Sequence, residues 1–217
     1  MFRRIGVAAA TAFSSYALLA YILDAKKKTR PFLTQVELFK SLKYNDGRAC
    51  EPIFCHPMSS DWLRKKIEKI DTDYLKNEEE TLISTVSVND DIHALKKDGK
   101  DYLNYAFVKT KTAYKEKNVP LSELTTKEGV EQSLATHQYA FFRYPTRDPN
   151  QGHAVAYHRD EKGGCEFFDP NYPGGEVSHA CPELYDFIAA RIRETGAKNL
   201  DQTEYATLTV DTPIRTR

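Results

Sequence analysis

The spacing of apolar residues changes near His137, and this change limits the folds open to the chain. Before this point apolar residues recur at helical spacing, most regularly from Cys55 to Ile70. After it, aromatic-rich segments alternate with a period of two and are separated by Gly, Pro, Asn and Asp, as in antiparallel hairpins. Helical segments followed by an antiparallel sheet predict an α+β domain.

The same pattern places the individual elements. Helices are predicted at 32–42, 55–70, within 121–134 and at 182–195, and strands at 139–144, 153–157, 165–168, 175–179 and 205–210. The charged stretch 71–117 is predicted to hold further helical pieces and to form mainly a solvated face. Pro57 is compatible with its helix because it falls in the first turn.

Length and charge narrow the class of protein. A chain of 217 residues has room for one domain with a substantial core, which we assign to 31–217. Its 31 Lys and Arg balance its 31 Asp and Glu, so the formal net charge is zero. A nucleic-acid-binding domain usually carries a basic surplus, and we therefore expect no nucleic-acid partner.

The chain has four cysteines, at Cys50, Cys55, Cys165 and Cys181. They are too few and too irregularly spaced for a disulfide scaffold, and no pair has the two-residue spacing of a zinc ribbon. We expect thiols in a reducing compartment, no metal and no cofactor. A bridge joining Cys165 to either Cys50 or Cys181 stays open as an alternative.

Residues 1–30 form a separate segment whose apolar part runs from Ile5 to Leu23 between basic residues. Three interpretations remain open: a signal peptide with a poor cleavage site, a single membrane anchor at the lower limit of length, or an ordinary helix of a soluble protein. Membrane contact through residues 5–23 is therefore an alternative that the sequence leaves undecided.

Three residues carry the candidate chemistry. Cys55 begins a predicted helix, His153 begins a predicted strand, and Asp169 follows the next strand. A cysteine attacks as its thiolate, which a neighbouring imidazolium and a helix N-terminus both stabilise. We predict Cys55 as nucleophile, His153 as general base and Asp169 as the residue that orients the imidazole.

Each assignment has an alternative. Cys50 is a rival nucleophile, and Asp169 could instead cap the turn that follows it. We expect His56 and His158 to be exposed or secondary, and Trp62 to belong to the core rather than to contact substrate.

These segments resemble the YopT/AvrPphB-type cysteine peptidases, a papain-like family of bacterial effectors. The similar segments are Cys55-x-x-Met58-Ser59-x-x-Trp62, Gly152-His153-Ala154-Val155-Ala156 and Phe167-Phe168-Asp169-Pro170-Asn171. The resemblance implies a papain-like fold, in which an N-terminal helical part places the nucleophile at a helix N-terminus against a C-terminal antiparallel sheet. It also implies a secreted effector that acts on a host protein.

The chain departs from papain-like enzymes upstream of the nucleophile. Such enzymes place a Gln or Asn there to hold the developing oxyanion, but the five residues before Cys55 include neither. Asn45, ten residues upstream, is the nearest candidate for this role.

Proteolysis by a monomer through a thioacyl-enzyme intermediate is the first hypothesis for function. Glutamine deamidation or transglutamination would use the same three residues, and a weakly active adaptor would keep only the fold. The motifs do not separate these alternatives.

Overall fold

The computed structural model describes Thr34, Gln35 and Leu38, and then residues 54–147, 151–196 and 204–212. Its helices are α1 (Cys55–Ile67), α2 (Glu78–Lys97), α3 (Tyr105–Thr110), α4 (Lys127–Leu134) and α5 (Cys181–Thr195). Its strands are β1 (Tyr114–Pro120), β2 (Tyr139–Pro145), β3 (Gly152–Arg159), β4 (Gly164–Phe168), β5 (Glu176–Ala180) and β6 (Tyr205–Asp211). Short 3₁₀ turns lie at Asp73–Lys76 and Glu123–Thr125.

The six strands form one sheet in the order β1-β6-β2-β3-β4-β5, and all neighbours are antiparallel. Strands β2 to β5 follow one another as a meander because turn-forming residues separate them in the chain. Strand β6 returns from the C-terminal side to lie between β1 and β2.

Each face of the sheet supports a separate part of the core, because successive side chains on a strand point to opposite faces. Phe142 and Val155 belong to a cluster with apolar residues of α4 and α5. Phe141 and Ala154, next to them in sequence, belong to a second cluster with α1 and α3. The sheet is therefore covered by helices on both sides.

Helix α1 packs on the sheet through the apolar stripe that the sequence predicts. Met58, Trp62 and Leu63 are buried, and Ser59 Oγ donates a 2.9 Å hydrogen bond to Ala154 O on β3. The helix ends at Ile67, three residues earlier than predicted, and Ile70 is 47% exposed. A left-handed backbone at Lys69 (φ 56°) accompanies the end of the helix.

The predicted α+β organisation is confirmed, and every strand predicted after residue 137 is present with small shifts of its ends. The prediction missed β1, which begins inside the charged stretch 71–117 and continues to Pro120. Only Val119 is buried in this strand, and Lys115 and Glu116 are exposed. Charged side chains suit an edge strand, but they also hide its apolar alternation.

The expectation that the cysteines are thiols is wrong for two of them, because Cys165 and Cys181 form a disulfide. The bridge joins β4 to the start of α5, and the pairing is one that the sequence left open. Cys55 is free, whereas Cys50 lies outside the described residues.

The N-terminal segment 1–30 and most of the predicted helix 32–42 also lie outside the described residues. Gln35 and Leu38 are helical, as predicted. Within the parts of the chain that the structure describes, every helix falls short of the length and apolar character that crossing a membrane requires.

Candidate active site

Cys55 is the first residue of α1, so its side chain lies at the positive end of a 13-residue helix. The preceding residue, Phe54, caps the helix without a side-chain hydrogen bond. The thiol faces the start of β3, where its Sγ lies 3.9 Å from Gly152 O. The N-terminus of α1 and the start of β3, the strand that carries His153, are therefore in contact at Cys55.

His153 follows Gly152 on β3 and is buried. Its Nε2 lies 2.8 Å from Asp169 Oδ1, and Tyr144 on the paired strand packs edge-on against the ring, with 5.6 Å between centroids. Because Asp169 engages Nε2, the Nδ1 side of the ring is left for the thiol. The carboxylate thus fixes both the orientation and the tautomer of the imidazole.

Asp169 comes directly after β4 and has no exposed surface. Its Oδ1 also accepts the backbone N–H of Asn171 at 2.8 Å, which makes the turn expected of an Asp at this position. Its Oδ2 accepts two N–H groups of Arg191, Nε at 3.1 Å and Nη2 at 2.8 Å. The turn role and the orienting role are therefore compatible in one carboxylate.

The electrostatics of this group favour ionised partners. Burial alone would lower the pKa of His153, but hydrogen bonds with Asp169 and Cys55 and the negative charges of both raise it to about 9. Burial would raise the pKa of Asp169, but His153 and then Arg191 hold it below its ordinary value. At neutral pH the pair is an imidazolium and a carboxylate.

The two histidines that neighbour the predicted site in sequence, His56 and His158, have partners of their own. His56 Nε2 lies 3.0 Å from Leu103 O, and burial lowers the pKa of this ring. His158 Nδ1 lies 2.7 Å from Glu166 Oε2. Both are half-buried rather than exposed, and neither is hydrogen-bonded to Cys55 or Asp169 among the described residues.

Trp62 is fully buried, as predicted, and stacks on Phe168, the residue before Asp169, with 5.6 Å between ring centroids. Its Nε1 donates to Glu176 Oε2 at 2.5 Å. The tryptophan therefore packs against the last residue of β4, directly before Asp169.

Two residues that sequence reasoning missed contact the loop of Asp169. Arg191 is one, and its place in an amphipathic helix gives no signal of this contact. Gln35 is the other: its backbone N donates to Pro170 O and its Nε2 to Asn171 Oδ1, both at 2.7 Å. Asn45, the predicted oxyanion group, lies outside the described residues.

Among the described residues, no group of three or more His, Cys, Asp and Glu side chains is arranged to hold a metal ion. The chemistry available is that of the thiol, the imidazole and the carboxylate. An α+β fold that sets a helix-terminal cysteine beside a buried His–Asp pair is that of the papain-like thiol enzymes.

Residues 53–208 match the family Peptidase_C58, described as Yersinia/Haemophilus virulence surface antigen. The match covers most of the chain, and the protein belongs to this peptidase family. The resemblance and the papain-like fold predicted from the sequence are thereby confirmed.

Among solved structures, the chain is similar to the crystal structure of the Pseudomonas avirulence protein AvrPphB. The two are 17% identical, with a TM-score of 0.49, over 74% of this chain and 92% of the other. No curated protein matches the chain.

Proposed function

We propose that the protein is a cysteine endopeptidase in which Cys55 is the nucleophile, His153 the general acid and base, and Asp169 the orienting group. The observation that carries the proposal is the buried pair of His153 and Asp169 beside a thiol at a helix N-terminus. Membership of a peptidase family supports the same assignment.

The reaction begins with the thiolate of Cys55 attacking the carbonyl carbon of a peptide bond. The carbonyl oxygen gains the negative charge, and the backbone N–H of Cys55 lies at the helix start, where it can stabilise that charge. The protonated His153 then gives its proton to the departing amine as the C–N bond breaks. The product is a thioester between Cys55 and the acyl half of the substrate.

Water completes the cycle. The neutral His153 takes a proton from water, the resulting hydroxide attacks the thioester, and the C–S bond breaks to release the acid and restore the thiolate. Asp169 stays ionised throughout and holds Nε2 in place, so the ring returns to its starting position.

The substrate that we propose is a host protein, and the site of action is the host cell after secretion. This part rests on the family, whose description names virulence, and on the resemblance of the three motifs to effector peptidases. We propose that the protein acts as a monomer.

The proposal is tested by intact-mass labelling with a peptidyl epoxide, comparing the wild type with Cys55→Ala. We expect one adduct on the wild type and none on the variant, because only an activated thiol in a peptide-binding cleft opens the epoxide rapidly. Cys50→Ala is the matched control and should label like the wild type. Labelling that follows Cys50 would overturn the choice of nucleophile.

A second measurement separates cleavage from side-chain chemistry. Host-cell extract treated with the wild type should contain new protein N-termini that are missing after treatment with Cys55→Ala. Release of ammonia without new N-termini would instead identify a glutamine deamidase.

A further inference from the structure

We propose that Arg191 is a positioning residue of the active site, which holds Asp169 in place so that the carboxylate can orient His153. The inference rests on the proposed function only in assigning Asp169 its orienting role.

The two carboxylate oxygens of Asp169 have different partners, and Arg191 contacts only one of them. Arg191 donates hydrogen bonds from Nε and Nη2 to Oδ2, whereas Oδ1 accepts a hydrogen bond from Nε2 of His153. A guanidinium presents these two N–H groups at a fixed angle, so it fixes the direction of the carboxylate as well as its charge. The rotation of Asp169 is thereby set from the side opposite His153.

Arg191 also contacts the loop that follows Asp169. Its guanidinium carbon lies 5.4 Å from the ring centroid of Tyr172, and Tyr172 N donates to Asp169 O at 2.9 Å. The remaining nitrogen, Nη1, donates to Glu194 one turn further along α5 at 2.5 Å. One side chain thus joins α5 to both the carboxylate and the backbone of its loop.

Burial explains why the carboxylate needs this partner. Asp169 is buried, so its Oδ2 has lost the water that would hydrate it. Without a protein donor, this oxygen would have no hydrogen bond to compensate for that loss. Without Arg191 the neutral acid would gain stability relative to the carboxylate, so the pKa of Asp169 would rise, and the added proton would compete for the site that His153 uses. Arg191 supplies Asp169 Oδ2 with a full positive charge and two hydrogen-bond donors.

The test compares Arg191→Gln, Arg191→Lys and the control Arg193→Gln. Arg193 lies on the same helix but donates to Thr125 O, away from Asp169. One readout is the carboxyl titration of Asp169, followed by ¹³C NMR with Asp169→Asn for assignment. The other is the pH profile of Cys55 alkylation by iodoacetamide.

In Arg191→Gln we expect the titration midpoint of Asp169 to rise by about one to three pH units. The acid limb of Cys55 alkylation should move to higher pH with it, because a protonated Asp169 no longer stabilises the imidazolium. Lysine restores the charge but not the fork, so Arg191→Lys should fall between the two. Arg193→Gln should match the wild type in both readouts.

A folded Arg191→Gln with the wild-type midpoint and alkylation profile would overturn the proposal. If that variant does not fold, Arg191→Lys decides the question by the same comparison, since an unchanged midpoint and profile would be equally contrary. The proposed function fails separately, through absence of Cys55 reactivity in the wild type, while the Asp169 titration still reports on Arg191.

Discussion

At the scale of single residues, His153 shows how neighbours can reverse the effect of burial. An imidazole that is 4% exposed should lose its proton more easily than in water. The carboxylate of Asp169 and the thiol of Cys55 outweigh that effect and raise the pKa to about 9. The ring is therefore a proton donor over the whole physiological range.

This pKa predicts different basic limits for two reactions of the same thiol. Peptide cleavage should fall as pH rises through about 9, because neutral His153 cannot protonate the leaving amine. Alkylation of Cys55 by iodoacetamide needs only the thiolate and should persist above that pH. Parallel pH profiles measured with a cleavable peptide and with iodoacetamide check this; a joint decline above pH 9 would contradict it.

The candidate site could be predicted only where local sequence marks it. Cys55, His153 and Asp169 each stand at a boundary between an element and a turn, within motifs that suggest chemistry. Arg191 and Gln35 reach Asp169 and Asn171 across 22 and 136 positions of sequence. Such contacts depend on how the helices pack on the sheet. Arg and Gln are also common residue types in surface helices, so neither residue stands out in the sequence.

At the scale of elements, α1 is anchored to α2 by a buried charge as well as by apolar packing. Asp61 is 1% exposed and accepts hydrogen bonds from Arg64, Lys65 and Ser84, the last of which belongs to α2. A carboxylate in this position is stable only while its donors remain. Asp61, six residues after Cys55, therefore helps to hold α1 in position.

Asp61→Ala should lower the free energy of unfolding by about 3 kcal/mol, because it removes the buried carboxylate that both Arg64 and Lys65 contact. Glu68→Ala is the matched control, since it removes the exposed carboxylate of the same Arg64. The control should cost less than about 1 kcal/mol. Urea denaturation of both variants measures the difference, and equal losses would contradict the buried-charge argument.

The elements differ in how plainly the sequence marks them. The buried stripe of α1 and the aromatic alternation of β2 are visible because one face of each is apolar. Among the described strands, the edge strand β1 pairs only with β6, and it buries mainly Val119. Its extended structure therefore depends on pairing with β6 more than on its own residues.

At the scale of the whole molecule, the disulfide Cys165–Cys181 closes a loop between β4 and α5. Both elements carry parts of the site, since Asp169 follows β4 and Arg191 lies on α5. The bridge and the Arg191–Asp169 contact therefore join the same two elements at different points.

Opening the bridge should lower the free energy of unfolding by about 3 kcal/mol, as expected for a crosslink between positions 16 residues apart. The measurement is denaturant unfolding of Cys165→Ser/Cys181→Ser, made on a Cys55→Ala background that excludes exchange with the free thiol of Cys55. Cys55→Ala with the bridge intact is the reference. An unchanged midpoint would show that the bridge does not stabilise the fold.

A reducing agent has two targets in this protein, the thiol of Cys55 when it is oxidised and the disulfide Cys165–Cys181. Thiol enzymes are commonly assayed with dithiothreitol, which returns an oxidised nucleophile to its active form. Here the same reagent, at higher concentration or longer exposure, would cut the covalent link between the strand of Asp169 and the helix of Arg191. Activity plotted against reductant should rise and then fall, so a dose series is needed before any preparation is judged inactive.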